Sequence, residues 1–132
     1  MTLTRPFLCI AAVMVLACSN SNSPTPEFRT GMWGGQRVGL SVEATRVTFL
    51  FDCAGGAVEG RIPVAADGRF DVTGTFSFGG NIVGADHSPH PARYFGRIVG
   101  THITFTRVLL DGSMPDASFT ADFGAAPSIV AC

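Results

Sequence analysis

Lysine is absent from this 132-residue chain: all nine basic residues are arginine, and ten aspartates and glutamates bring the net charge to −1. With no basic stripe and no interleaving of aromatic and basic side chains, the sequence offers nucleic acid no electrostatic footprint. Long apolar runs are missing too. The most compact one, Phe7 to Leu16, is about ten residues, half of the roughly 20 that a membrane-spanning helix needs. After Arg29 no segment carries an apolar stripe at helical spacing. Catalytic signatures are also lacking. There is no Gly-x-Ser-x-Gly elbow to present a nucleophile, and the glycine pairs do not have phosphate-loop spacing. Asp67-Gly68 and Asp111-Gly112 read as turns, not as paired acid–base carboxylates. An enzyme is therefore not expected, and no cofactor is implied.

What is present begins with an address. Arg5 is followed by the apolar run from Phe7 to Leu16, which ends in Val15-Leu16-Ala17-Cys18. An apolar run of this length with a small residue before a cysteine has the form of an export signal. The four residues resemble the lipobox of bacterial lipoproteins, with Val15 and Leu16 where Leu and a small residue are usual. The resemblance implies removal of residues 1–17 and lipid on Cys18, so that two or three acyl chains hold the protein at a membrane surface. The alternative is an ordinary secretory peptide cut after Ala17, leaving an unmodified thiol. Ser19 to Pro26 lacks apolar residues and reads as a tether, giving an anchored flexible segment over residues 18–30 and a domain over 31–132. The expected location is the cell envelope, on the outer membrane if the host is Gram-negative. About 105 residues suit one small domain, expected to be monomeric.

Four cysteines divide cleanly on that reading. Cys9 leaves with the signal and Cys18 carries lipid, so Cys53 and Cys132 remain as a pair. In an oxidising compartment such a pair in a small exported domain is most simply a disulfide. Closing a loop of about 80 residues is worth about 4 to 5 kcal/mol by chain entropy.

From Gln36 onward the period is that of strands. Val38, Leu40 and Val42 share a face, as do Val47, Phe49, Phe51 and Cys53, which aims Cys53 inward. The clearest run is Arg69 to Gly79, with Phe70, Val72, Gly74, Phe76 and Phe78 on one side and Asp71, Thr73, Thr75 and Ser77 on the other. Further strands are expected over Ala57 to Val64, Arg93 to Val99, His102 to Leu110 and Ala117 to Phe123, with Ile129 to Cys132 as a short closing strand. Glycine-bearing turns fall between them at Ala54-Gly55-Gly56, Asp67-Gly68, Gly79-Gly80, Gly100-Thr101 and Asp111-Gly112. Asp67-Gly68 has the form of a two-residue hairpin. The expectation is an all-β fold: an antiparallel up-and-down barrel of about eight strands, or a two-sheet sandwich, mostly filled by its own side chains.

Gly31-Met32-Trp33 resembles the Gly-x-Trp start of lipocalin-like barrels, where the Trp plugs one end, although this domain is shorter and lacks the helix expected after such a barrel. In size it is closer to small periplasmic barrels that inhibit proteases or lysozyme. The set Gly31-Met32-Trp33-Gly34-Gly35, Phe51-Asp52-Cys53-Ala54, Gly68-Arg69-Phe70 and His90-Pro91-Ala92-Arg93-Tyr94 resembles small bacterial lipoproteins of unknown function, which supply no activity to import.

The unusual loop is Asp86 to Tyr94. Asp86, His87 and His90 are a candidate ligand set for zinc or copper; Pro89 and Pro91 forbid a regular helix there, so the alternative is a polar loop with solvent-facing histidines. Arg93, Tyr94 and Trp33 are the residues expected to meet a ligand or partner. The structural alternative pairs Arg93 with an acid such as Asp86 and packs Tyr94 at a barrel rim. These readings converge on a binding module for an envelope protein or a small apolar ligand, with a ligand-free structural lipoprotein or a hydrolase inhibitor as alternatives.

Overall fold

The computed structural model describes residues 26–80, 83, 84 and 86–132. The expected signal, Cys18 and the tether up to Thr25 lie outside the described residues. The domain is a closed antiparallel barrel of eight strands in sequence order: β1 Gly31–Gly35, β2 Val38–Val42, β3 Arg46–Phe51, β4 Ala54–Glu59, β5 Arg69–Phe78, β6 His90–Val99, β7 His102–Leu109 and β8 Ala117–Phe123. Each strand pairs with the next, and β1 pairs with β8 at Trp33↔Phe123 and Gly34↔Asp122 to close the ring. Up-and-down connectivity puts the β1–β2, β3–β4, β5–β6 and β7–β8 connections at one end, called here the mouth. The chain enters at the other end, the floor.

Two-residue alternation explains the interior. Inward positions hold Val38, Leu40 and Val42, then Val47, Phe49 and Phe51, then Phe70 and Phe76, then Ile103 and Phe105, all buried. Outward positions on β5 hold Asp71, Thr73 and Thr75, all exposed. An apolar interior under a polar exterior is the reverse of a barrel that spans a bilayer. At the floor Trp33 is fully buried; its indole N–H donates to the Arg29 carbonyl at 3.1 Å, its ring meets Phe123 edge-on, and Phe28 packs against it and Phe70. In the middle layer Phe49 and Tyr94 stack at 4.1 Å between centroids. The lower barrel is therefore filled by its own side chains.

Several local expectations give way to the closed ring. Gly31 to Gly35 is itself the first strand despite three glycines, because its full length pairs with β2. The β3–β4 turn falls at Asp52-Cys53, with Cys53 at φ 52°, so Ala54 to Gly56 is strand and Cys53 sits in the turn instead of facing inward. Asp67-Gly68 closes a turn with Ala65, whose carbonyl accepts from the Gly68 N–H at 2.9 Å, but β4 has already ended at Glu59, so the turn is the last part of a nine-residue β4–β5 connection and not a two-residue hairpin. Strand β6 starts at His90, earlier than Arg93, because the inward alternation of His90, Ala92, Tyr94 and Ile98 is unbroken.

Ile129 to Cys132 is not a strand. After β8 the chain returns toward the mouth along the outside of β1, with one parallel bridge between Gln36 and Ser128. Hydrogen bonds from Ser128 N–H to the Gly35 carbonyl (3.0 Å) and from Arg37 N–H to the Ser128 carbonyl (2.7 Å) fix it. Gly34 and Gly39, which face each other across β1 and β2, make the room: a Cβ on Gly34 would strike the backbone of Ala125 to Pro127, and one on Gly39 would meet the Pro127 ring. The strap ends in the Cys53–Cys132 disulfide, with Cα atoms 5.1 Å apart.

Candidate functional site at the barrel mouth

Strand β7 alternates Ile103, Phe105, Arg107 and Leu109 on its inward face, and all four are buried. An arginine in an inward slot of a small barrel is an expensive placement, since an isolated charge taken out of water needs a partner. Arg107 is only 4% exposed. Among the described residues no carboxylate comes within salt-bridge distance of its guanidinium, and its Nε is buried without a hydrogen-bond partner. Among the described residues its one polar side-chain contact is from Nη2 to the Met114 sulfur at 3.4 Å. Three ring faces provide what compensation there is: Phe76 at 4.7 Å, Phe51 at 5.1 Å and Phe119 at 5.5 Å from the guanidinium carbon. Such contacts are worth about 0.5 to 2 kcal/mol each. Burial pushes the Arg107 pKa below the ordinary arginine value, while Tyr94 and Asp116 act the other way; an arginine keeps its charge at neutral pH regardless.

Arg107 forms the inner wall of an open cleft of about 570 Å3, inside the roughly 300–1,000 Å3 range of small-ligand sites. Phe51, Phe119 and Met114 supply apolar surface; Gln36, Arg37 and the carboxylates Asp52 and Asp116 line it too, neither acid within salt-bridge distance of Arg107. The cleft exists because the seam between β1 and β8 closes only partway. Ala117 to Thr120 pair with β7 but have no pairing with β1, since the end of β1 bonds instead to Ser128 of the strap.

A second polar group sits at the same end of the barrel, at the start of β6. His90 is 8% exposed; its Nδ1 lies 2.6 Å from Asp111 Oδ2 and its Nε2 3.0 Å from the Asp86 carbonyl oxygen. Both partners accept, so the two contacts are both hydrogen bonds only when both nitrogens carry protons, and the site favours the imidazolium form. The Asp111 contact, then the Asp86 carbonyl, raise its pKa above the ordinary 6.5. Asp111 is pulled down to about 2, first by the Ser113 hydroxyl and then by His90. Ser113, His90 and Asp111 are the residue types of a nucleophile triad, but Ser113 Oγ donates to Asp111 at 2.6 Å and His90 has no free lone pair to take a proton. The arrangement is a latch between the β5–β6 and β7–β8 loops.

The residues singled out from sequence separate. His87 is exposed with Nδ1 2.9 Å from the Phe78 carbonyl, whereas His90 is occupied through both nitrogens, and the described residues hold no group of three or more His, Cys, Asp or Glu suited to a metal. Arg93 pairs not with Asp86 but with Asp71 across β5 and β6, at 2.8 and 2.6 Å. Tyr94 is fully buried in mid-barrel, not in a loop or at a rim. Its hydroxyl donates to the Thr75 carbonyl at 2.7 Å, in space that a Cβ on Gly56 would fill. Trp33 lies at the floor, at the opposite end from the cleft. Arg107 was not singled out, yet its signal is in the sequence: it breaks the apolar alternation Ile103, Phe105, Leu109 with a charge. Compared with known proteins, the chain matches no protein-family model, no curated sequence and no solved structure.

Proposed function

We propose that this is a lipid-anchored, non-enzymatic binding protein of the bacterial cell envelope, acting as a monomer, whose barrel mouth takes a small ligand with an apolar body and an anionic group. The observation that carries the ligand reading is Arg107, buried, without a carboxylate in salt-bridge contact, and lining an open cleft of mixed apolar and polar surface. A carboxylate there would make a charge-assisted bond to a preformed fork of donors, with Phe51, Phe119 and Met114 covering its apolar part. This sharpens the sequence expectation of a small apolar ligand by adding a required negative charge. The envelope location rests on the lipobox-like Val15 to Cys18 and the polar stretch behind it.

The ligand test is thermal unfolding of the full-length protein with octanoate or benzoate, against octanol and benzyl alcohol as neutral controls. Ligand at 100 times its Kd stabilises the native state by about 2.7 kcal/mol, or on the order of 10 °C for a domain of this size. The acids should raise the Tm and the alcohols should not; no shift with any acid favours the ligand-free structural lipoprotein. Arg107→Met should abolish the shift while raising the intrinsic stability by about 1 kcal/mol, because removing an unpaired buried charge outweighs the lost ring contacts. For the anchor, mass spectrometry of the mature protein should find acyl mass on Cys18, and a bare Cys18 would remove that part of the reading.

A further inference from the structure

Resting on the reading of Arg107 as an anion contact, we infer that the anion is the C-terminal carboxylate of an extended peptide, which adds as a strand to the free edge of β8. The cleft is not uniformly apolar. One of its walls is the stretch Ala117 to Thr120, which is hydrogen-bonded to β7 on one side and has no strand partner among the described residues on the other. Unpaired strand edges present a row of N–H and C=O groups and recruit other strands. A fatty or aryl acid can reach Arg107 but covers those groups without bonding them, so it should bind more weakly than an occupant that bonds the edge. A peptide satisfies them with its own backbone and leaves its last carboxylate free for a cation.

The placement agrees. Ala117 is the register partner of Arg107, so the end of the free edge and the guanidinium lie at one level of the barrel. The other end of the gap is stopped where Gly35 abuts the Thr120 carbonyl. Four residues of edge measure about 13 Å, which admits about three residues of peptide. Phe119 and Phe51 at the inner wall favour an apolar last side chain, while the exposed hydroxyls of Ser118 and Thr120 face a more polar outer side.

The experiment titrates the full-length protein in detergent with a pool of N-acetyl tripeptides carrying all side chains at the last position, prepared once as free acids and once as amides. The expected result is binding of the acids, at least tenfold weaker binding of the amides, and a similar loss when the peptide backbone is N-methylated. Backbone amides within residues 117–120 should become slower to exchange hydrogen on binding. Arg107→Lys, which keeps the charge but not the fork, should bind the acids several-fold more weakly. If benzoate and octanoate bind as well as the acids and N-methylation has no effect, the peptide inference falls and the anion site at Arg107 stands. If no acid of any kind binds or shifts the Arg107 side-chain resonances, both fall. A doubled mass in light scattering with residues 117–120 already protected would show a second copy on this edge, which also overturns the inference.

Discussion

His90 and Arg107 are two cations in inward slots near the same mouth, and each handles burial differently. His90 is surrounded by acceptors: the Asp111 carboxylate and the Asp86 carbonyl bond its ring, Ser113 Oγ lies 3.4 Å from Nδ1, and Phe78 packs edge-on. Its raised pKa makes the folded state hold the proton more tightly than the unfolded chain. The latch therefore contributes fully below the ordinary histidine value of 6.5 and is lost as pH rises through the raised value. Asp111, held down to about 2, contributes above the ordinary 3.8 and loses that contribution as pH falls toward 2. The His90 contribution to the wild-type Tm should fall as pH rises above 6.5 and through the raised value, and His90→Gln should remove that part of the slope. An identical slope in the variant would assign it to another group. Both inward cations are visible as interruptions of an apolar alternation, in β6 and in β7. What each one meets is not visible, because the three rings over Arg107 come from β3, β5 and β8. Their convergence depends on the register of the whole ring.

At the scale of elements, strands with strong two-residue alternation were readable and the glycine-rich ones were not. Strand β5 repeats phenylalanine and valine against threonine and aspartate, and it forms nearly as its pattern implies, Arg69 to Phe78. Strand β1 has glycine at three of five positions, which local propensity counts against a strand. Its reason is tertiary. Gly34 and Gly39 leave a channel for the strap, and the strap in turn takes the bonds of β1 that would otherwise zip β8 shut. Gly34→Ala should therefore destabilise by about 1 to 3 kcal/mol, since backbone has to move to admit one methyl group. Gly55→Ala is the control: its Cβ meets only the Phe49 carbonyl at 3.4 Å, and removing a glycine from a strand is neutral or mildly stabilising. Equal melting temperatures for the two variants would mean that the strap is not held in that channel. The disulfide belongs to the same device. Cys53 and Cys132 were readable as a pair by counting, but the turn that presents Cys53 became clear only once Asp52 was seen to bind the strap, accepting from the Val130 N–H at 2.8 Å and from Arg37 at 2.6 Å.

For the whole molecule, the direction of the mouth follows from the parity of the strands. An up-and-down barrel with an even number of strands begins its first strand and ends its last at the same end, here the floor sealed by Trp33 and Phe28, from which the strap alone climbs back to the mouth. The described chain enters there, so on the lipoprotein reading the anchor pulls on the sealed floor, while the Arg107 cleft opens at the far end. On that reading the stretch from Cys18 to Thr25 is eight residues, which reach at most about 29 Å fully extended, comparable to the height of a barrel whose strands run up to about 30 Å. Such a tether biases orientation without fixing it. The full-length protein on vesicles containing a headgroup-quenching lipid measures that bias. A fluorophore at Gly100, in the β6–β7 turn on the floor side, should be quenched more than one at Gly112, in the β7–β8 loop at the mouth. Both sites are exposed turn glycines with open space around them and similar positive φ, 60° and 70°, so the strain of replacing them is alike and should not select the outcome. Stronger quenching at Gly112 would turn the cleft toward the bilayer, and the ligand would then have to be sought among lipids, not among solutes and peptides of the surrounding space.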